Sequence, residues 1–282
     1  MVKMEVVQKI DRIWEEDFRE EYLNRYRKIK EFTNGQYTFR VVLDPGRDKA
    51  HKERKKANIE CPFDGTEHLH RPVEGSSLRY VVNIYPYFDK HFIAFPLEHR
   101  AVTSKQDLDE LIELQHHTDH LIMMNMKNAG ANILDHIHYQ CILEKLPIDK
   151  QKGRELTADQ DLRIEQVDFP VYALRFCWDS EKGKDQAESL VLRYNKPQNL
   201  HIYRNRIYMI PRRGSYSSIS PETKIGCAEV GGLFLVSSEK VFSELTYCRL
   251  ESIIKDVTVS DEKEIEEIEA YIKSLVEEGA VK

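Results

Sequence analysis

At 282 residues, with 41% hydrophobic and 32% charged side chains, the chain suits one large globular domain or two fused half-size units, and a largely disordered protein is excluded. A net charge of −6 leaves no surplus of Lys and Arg for a general nucleic-acid binder, although a small phosphorylated ligand needs only local donors. No segment approaches the ~18–20 apolar residues of a membrane span, the N-terminus lacks a signal peptide's apolar stretch, and the 5 cysteines (Cys61, Cys141, Cys177, Cys227, Cys248) form no disulfide framework, so a cytoplasmic location is expected.

Residues 4–32 read as a charged amphipathic helix, with Val7, Ile10, Ile13, Trp14, Phe18, Tyr22 and Tyr26 recurring on one side. An Asn34-Gly35 turn then leads into an alternating strand that ends at Pro45-Gly46. The basic, apolar-poor stretch 46–60 reads as a solvated loop or helix, with a phosphate-meeting loop as the alternative. Two β-rich runs over 76–102 are broken at Tyr85-Pro86-Tyr87 and end in Pro96-Leu97-Glu98-His99-Arg100. Over 104–128, Leu108, Leu111, Ile112, Leu121 and Ile122 fall at helical spacing. Within it, His116 and His120 stand at i and i+4, but without the Glu of an H-E-x-x-H metal motif they predict a polar helix face. After a polar stretch at 149–166 come a strand within 169–178, a helix over 184–195 and strand candidates over 199–213 and 229–236. The tail 260–279 predicts a helix with Ile265, Ile268, Ile272 and Leu275 inward and Gly279 as its stop.

The segment "NAGANILDHIHYQ", residues 128–140, carries the chemistry. In an extended chain His136, His138 and Gln140 share one face, while Ile137, Tyr139 and Cys141 fill the other. Imidazole is largely uncharged near neutrality, and a partner on one nitrogen frees the other to attack phosphorus. Gln140 can then donate its amide to a phosphoryl oxygen as charge develops. Asn125 and the Gly130 turn can add polar contacts, glycine admitting the backbone close to phosphate. Arg212 and Arg213 are candidates for clamping a phosphate or a phosphorolytic anion. The bland alternative for H-x-H is a polar surface strand, or two histidines binding only metal.

Asn125, Gly130-Ala131-Asn132 and His136-Ile137-His138-Tyr139-Gln140 together resemble the N-x-x-x-x-G-[AC]-S…H-x-H-x-Q motif of the histidine-triad superfamily. The likeness is to its galactose-1-phosphate uridylyltransferase-like branch, which includes dinucleoside polyphosphate and nucleotide-sugar phosphorylases. It runs in order over roughly 60–240 and is strongest at 125–140. Asn132 stands where serine is usual, and the spacer to the first histidine is one residue longer than in the uridylyltransferases. The resemblance implies an α+β, histidine-triad-like fold of antiparallel sheets with flanking helices and two related halves. These are expected at 1–148 (N-terminal helix plus catalytic half) and 149–282 (second half plus C-terminal helix). In keeping with that, "NIYPYFDKHFIAFPLEH" (83–99) is similar to "HIYRNRIYMIPRRGS" (201–215), both strand–turn–strand units ending in an apolar run, Pro and charge.

The same resemblance implies an enzyme. His138 would become nucleotidylated, Gln140 would hold the phosphoryl oxygens, and Asn83 and Asn132 would lie near the nucleotide and its phosphate. A nucleotide-sugar or dinucleoside polyphosphate would be cleaved and the nucleotide passed to phosphate or a sugar 1-phosphate. A hydrolase of dinucleoside polyphosphates and a non-catalytic nucleotide- or metal-binding protein are the alternatives. Related uridylyltransferases also imply a Zn²⁺ site at Cys61, Asp64, His99 and His136, with Asp64 where they carry a second cysteine. Metal-free catalysis is the competing expectation, and His68 and His70 read as loop histidines. Relatives often pair as homodimers, while two halves in one chain would supply an internal partner.

Overall fold

The computed structural model of the chain describes residues 4–24, 27–46, 61–63, 71–83 and 86–280. Helices Met4–Asp17 and Arg19–Asn24 come first, burying Val6, Ile10, Ile13, Trp14 and Phe18. The continuous helix expected to residue 32 is shorter, because Lys28–Thr33 forms a strand (β1) instead. β1 pairs antiparallel with β2 (Thr38–Leu43) across the Asn34-Gly35 turn, where Gly35 takes φ +92°. Tight pairing with a buried neighbour outweighs the helical periodicity that β1 shares with the residues before it.

Two copies of one unit follow. The first runs β3 (Val73–Glu74), β4 (Leu78–Val82), β5 (Phe92–Pro96), helix Lys105–His116, β6 (Leu121–Asn125) and β7 (Tyr139–Ile142). The second runs β8 (Gly153–Ala158), β9 (Leu162–Val167), β10 (Leu174–Trp178), helix Glu181–Arg193, β11 (Gln198–Ile202) and β12 (Arg206–Pro211). The ten strands make one antiparallel sheet in the order β3-β4-β5-β7-β6-β11-β12-β10-β9-β8. That order reads the same from either edge when the units are exchanged, so the two halves meet at the β6–β11 pair. The resemblance of 83–99 to 201–215 crosses this repeat: topology matches β6–β7, which ends the first unit, with β11–β12.

The chain ends with β13 (Tyr216–Ser217), β14 (Ser220–Lys224), helix Cys227–Val230, β15 (Leu233–Val236) and helices Glu239–Glu244, Tyr247–Val257 and Glu262–Ala280. β15 returns to lie parallel to β2, so β1, β2 and β15 form a second, smaller sheet.

One face of the large sheet packs on the helices from 4, 105, 181 and 262 through Trp14, Leu111, Tyr139, Phe176, Ile272 and their neighbours. The opposite face, over the second unit and the adjoining β6 and β7, is filled by the small sheet and helix Tyr247–Val257. Over β4 and β5 that face instead carries a small cluster of Cys61, Phe63, Val81, Ile93 and Phe95.

Three further expectations change. The helix over 104–128 ends at His116 and Leu121–Asn125 is β6, an apolar run buried on both faces whose composition suits helix or strand equally. His120 is therefore off the helix, buried, with Nε2 3.1 Å from the Lys90 carbonyl; His116 Nε2 meets Asn205 Oδ1 at 2.7 Å. The polar stretch 149–166 holds most of the β8–β9 hairpin. Gly279 lies inside the last helix, which reaches Ala280. Among the described residues no helix is long and apolar enough to cross a membrane.

Candidate active site

The segment before β7 is set by the side chains that point away from the site. Tyr139 donates its hydroxyl to Asp107 (2.9 Å), whose other duties are the capping box with Ser104 and an ion pair with Arg100 (2.5 Å). The Arg100 carbonyl accepts the N–H of Ile137 at 2.7 Å. Ile137, Tyr139 and Cys141 all lie in the helical-side core, as their alternation predicts. His136 and His138 precede the regular strand, which starts at Tyr139, so their placement depends on these anchors and not on a ladder of strand hydrogen bonds.

His138 is buried, and its Nδ1 lies 3.2 Å from the backbone carbonyl of His136. A carbonyl only accepts, so the proton resides on Nδ1 and the lone pair on Nε2. His136 repeats the device in mirror order. Its Nε2 lies 2.9 Å from the Pro96 carbonyl, which puts the lone pair on Nδ1, 3.4 Å from Cys61 Sγ. His99 stacks edge-on against His136 with ring centroids 4.7 Å apart, and one ligand atom from each of Cys61, His99 and His136 falls within 4.8 Å of the others. Asp64, His68, His70 and the basic residues 47–60 lie outside the described residues. Phe63, stacked on Phe95 at 4.3 Å, presents its ring to both His136 and His138.

Gln140 is half-buried on the same side of the sheet, between Ile93 of β5 and Met123 of β6. Its Oε1 lies 2.6 Å from Nε2 of His91, a residue that sequence reasoning did not single out. Its only signal there was a histidine immediately before an apolar run. Asn83 is buried beside it: the Asn83 N–H donates to the His91 carbonyl (2.9 Å) and Asn83 Nδ2 approaches the ring at 3.3 Å.

Asn125, Gly130 and Arg212 join the halves to each other. Asn125 Oδ1 accepts from Cys227 N–H (2.7 Å) and Asn199 Nδ2 (2.9 Å). Gly130, at φ +93°, donates its N–H to Ser215 Oγ (3.0 Å), and a Cβ there would stand 2.5 Å from the Ile225 carbonyl oxygen. This close backbone crossing by itself requires glycine, independently of the phosphate approach expected from sequence. The expectation for Arg212 is corrected. Its guanidinium donates to the carbonyls of Ala129, Val257, Gly214 and Ile225 and to Asn199 Oδ1, so it is committed to the protein interior, and burial lowers its pKa to about 10. Arg213 pairs with Glu264 at the surface, and Asn132 is exposed.

A family model described as a domain of unknown function, DUF4922, matches residues 12–143, just under half of the chain and including β7. No curated protein sequence matches. The fold is similar to that of yeast Ap4A phosphorylase Apa2. The complex of that protein with AMP aligns with TM-score 0.69 at 16% identity, covering 91% of this chain and 97% of that one. Its complex with Ap4A aligns with TM-score 0.68 at 14% identity, covering 92% and 98%. The α+β fold of antiparallel sheets with flanking helices expected from the sequence is therefore the fold observed, and it is shared with that protein.

Proposed function

We propose that this chain is a nucleotidyltransferase of the phosphorylase type that works through a covalent nucleotidyl-His138. The observation that carries the reading is the His138 Nδ1 to His136 carbonyl contact of 3.2 Å. It commits one ring nitrogen and makes the other the nucleophile. Nε2 attacks the innermost phosphorus of a nucleoside 5′-diphospho compound. The P–N bond forms as the bond to the bridging oxygen breaks, and the outer portion leaves with that electron pair as a phosphate anion. The ring becomes cationic in the adduct, and the His136 carbonyl then accepts a charge-assisted hydrogen bond. Gln140 donates to a non-bridging oxygen. In the second half an oxygen of the acceptor attacks the same phosphorus, the P–N bond breaks, and its electron pair returns to Nε2.

The solved proteins that share the fold hold AMP and Ap4A. This supports a dinucleoside polyphosphate as donor with phosphate as acceptor; a nucleotide-sugar with a sugar 1-phosphate is the alternative pair. Cys61, His99 and His136 also fit Zn²⁺: thiolate and imidazole ligands at tetrahedral angles stand about 3.5 Å apart, and a backbone carbonyl orients His136 as metal-binding histidines require. When bound there, the ion would serve as a cross-link between the Cys61 segment and the turn that carries His138.

Incubation with Ap4A and with a panel of nucleotide-sugars, with and without phosphate, tests the proposal by intact-mass spectrometry. Wild-type protein should gain one nucleotidyl group, labile to acid and stable to alkali, and release it to phosphate. His138→Ala should form no adduct and lose turnover by about 10³-fold or more. Full turnover in that variant would end the proposal.

A further inference from the structure

Gln140 carries an amide whose two ends are chemically opposite, and only the N–H end can stabilise a phosphoryl oxygen that is gaining negative charge. Which end faces the site is decided on the neighbouring strand. His91 immediately precedes β5 and is 1% exposed. The backbone N–H of Tyr87 donates to its Nδ1 at 3.2 Å, so that nitrogen holds a lone pair and the proton is on Nε2. Nε2 in turn lies 2.6 Å from Gln140 Oε1, which fits a donor meeting a carbonyl and engages the acceptor end of the amide.

We infer that His91 is the positioning residue of the site: its Nε2–H holds the Gln140 carbonyl back and turns the Gln140 N–H₂ toward the phosphoryl group carried by His138. The identity of what the N–H₂ meets rests on the phosphorylase reading above. The orientation itself is a property of the resting protein. Burial supports it by keeping the imidazole neutral, with a pKa lowered to about 4. A neutral ring in one tautomer has one acceptor and one donor, and here Tyr87 engages the first and Gln140 the second. Asn83 Nδ2, 3.3 Å from Nε2 and 3.5 Å from Nδ1, is nearly equidistant from the two nitrogens and so lies along the in-plane direction of neither. The polarity of the amide is thus set by a main-chain N–H two bonds removed from it.

Two buried polar groups that merely satisfied each other would leave the chemistry untouched, so the test separates the two roles. In the ligand-free protein, ¹⁵N NMR of the imidazoles should show His91 as the Nε2–H tautomer between pH 5 and 8. The Gln140 side-chain N–H₂ resonances should shift in His91→Leu. An Nδ1–H tautomer, or Gln140 resonances that do not move, would overturn the inference. Kinetics then read the consequence with Ap4A and phosphate as probe. His91→Leu and His91→Asn, which cannot reach Gln140 with a donor, should lower kcat roughly 10- to 100-fold, somewhat less than deleting an oxyanion donor outright. KM should stay within about two-fold, because the contact strengthens only as charge develops. His91→Gln restores an N–H at the Nε2 position and should recover most of kcat. An undiminished kcat in His91→Leu would also overturn the assignment. Should wild-type protein form no adduct with any donor tried, the phosphorylase reading fails and the NMR arms alone decide His91.

Discussion

Three imidazoles in this site have their tautomers set by main-chain groups: His138 by the His136 carbonyl, His136 by the Pro96 carbonyl and His91 by the Tyr87 N–H. Each contact fixes the protonation of both ring nitrogens, and the roles differ with the nitrogen engaged and with the backbone group: a carbonyl on Nδ1 in His138, a carbonyl on Nε2 in His136 and an N–H on Nδ1 in His91. In His136 the lone pair is on Nδ1 and faces Cys61 at 3.4 Å. That arrangement suits a thiol donating to imidazole, and it suits a thiolate and an imidazole sharing a metal. Metal content separates the two. If the Zn²⁺ assignment holds, purified protein should contain about one zinc per chain, and Cys61→Ser should lose most of it. Chelation should then lower the melting temperature of wild type and leave the serine variant unmoved. Zinc-free wild-type protein whose melting is indifferent to added zinc would favour the thiol–imidazole hydrogen bond over a shared metal as the contact between Cys61 and His136.

Elements were legible in the sequence where their signals are local. The Asn34-Gly35 turn and the inward stripe Ile268, Ile272 and Leu275 were readable from neighbours within a few residues. The alternation at 137–141 placed its apolar side chains correctly for the same reason. What could not be read is what depends on remote partners. Gly130 is glycine because residues 225–226 cross it, and Arg212 is arginine because Ala129, Gly214, Ile225 and Val257 turn carbonyls toward one point. The internal repeat was legible as a fact and misread in register, because any two hairpins that end in an apolar run and proline look alike, whereas the strand order does not. Arg212 binds the turn before His138 to the second half, so its loss should be felt across the β6–β11 join. Arg212→Met keeps much of the apolar length and leaves the carbonyls without their donor. Such groups cost ~1–3 kcal/mol each when buried unsatisfied, so a destabilisation of at least about 3 kcal/mol by urea unfolding is expected. A loss under about 1 kcal/mol would show that water replaces the guanidinium freely.

Across the whole molecule the two cores bury groups that titrate in opposite senses, and their balance sets the response to acid. Burial lowers His91 and His201 to about 4, and also lowers His120, so the unfolded chain takes up these protons first as pH falls below about 6.5. The contribution of the neutral histidines is complete above that pH, is lost progressively as pH falls from about 6.5 toward 4, and changes no further below. Asp149, pushed up to about 6 by burial, and Glu188, also raised by burial, bind protons more tightly in the folded state and offset part of the loss, Asp149 from about pH 6 downward. With three histidines on one side and two carboxyls on the other, stability should fall on acidification, most steeply between about pH 6 and 5, where the unfolded histidines are largely protonated and the folded ones are not. His201 isolates one histidine's share. It is buried, with Nε2 3.2 Å from the Cys227 carbonyl, and His201→Gln keeps an amide donor for that carbonyl while abolishing the titration. A shift of 2–3 pKa units is worth about 3 kcal/mol, so the difference in unfolding free energy between wild type and variant should change by up to about that amount between pH 7 and 4. Urea midpoints measured at half-unit steps give the curve: the wild-type slope should be the steeper, and parallel profiles would mean that His201 takes up its proton in the folded protein as readily as in the unfolded chain.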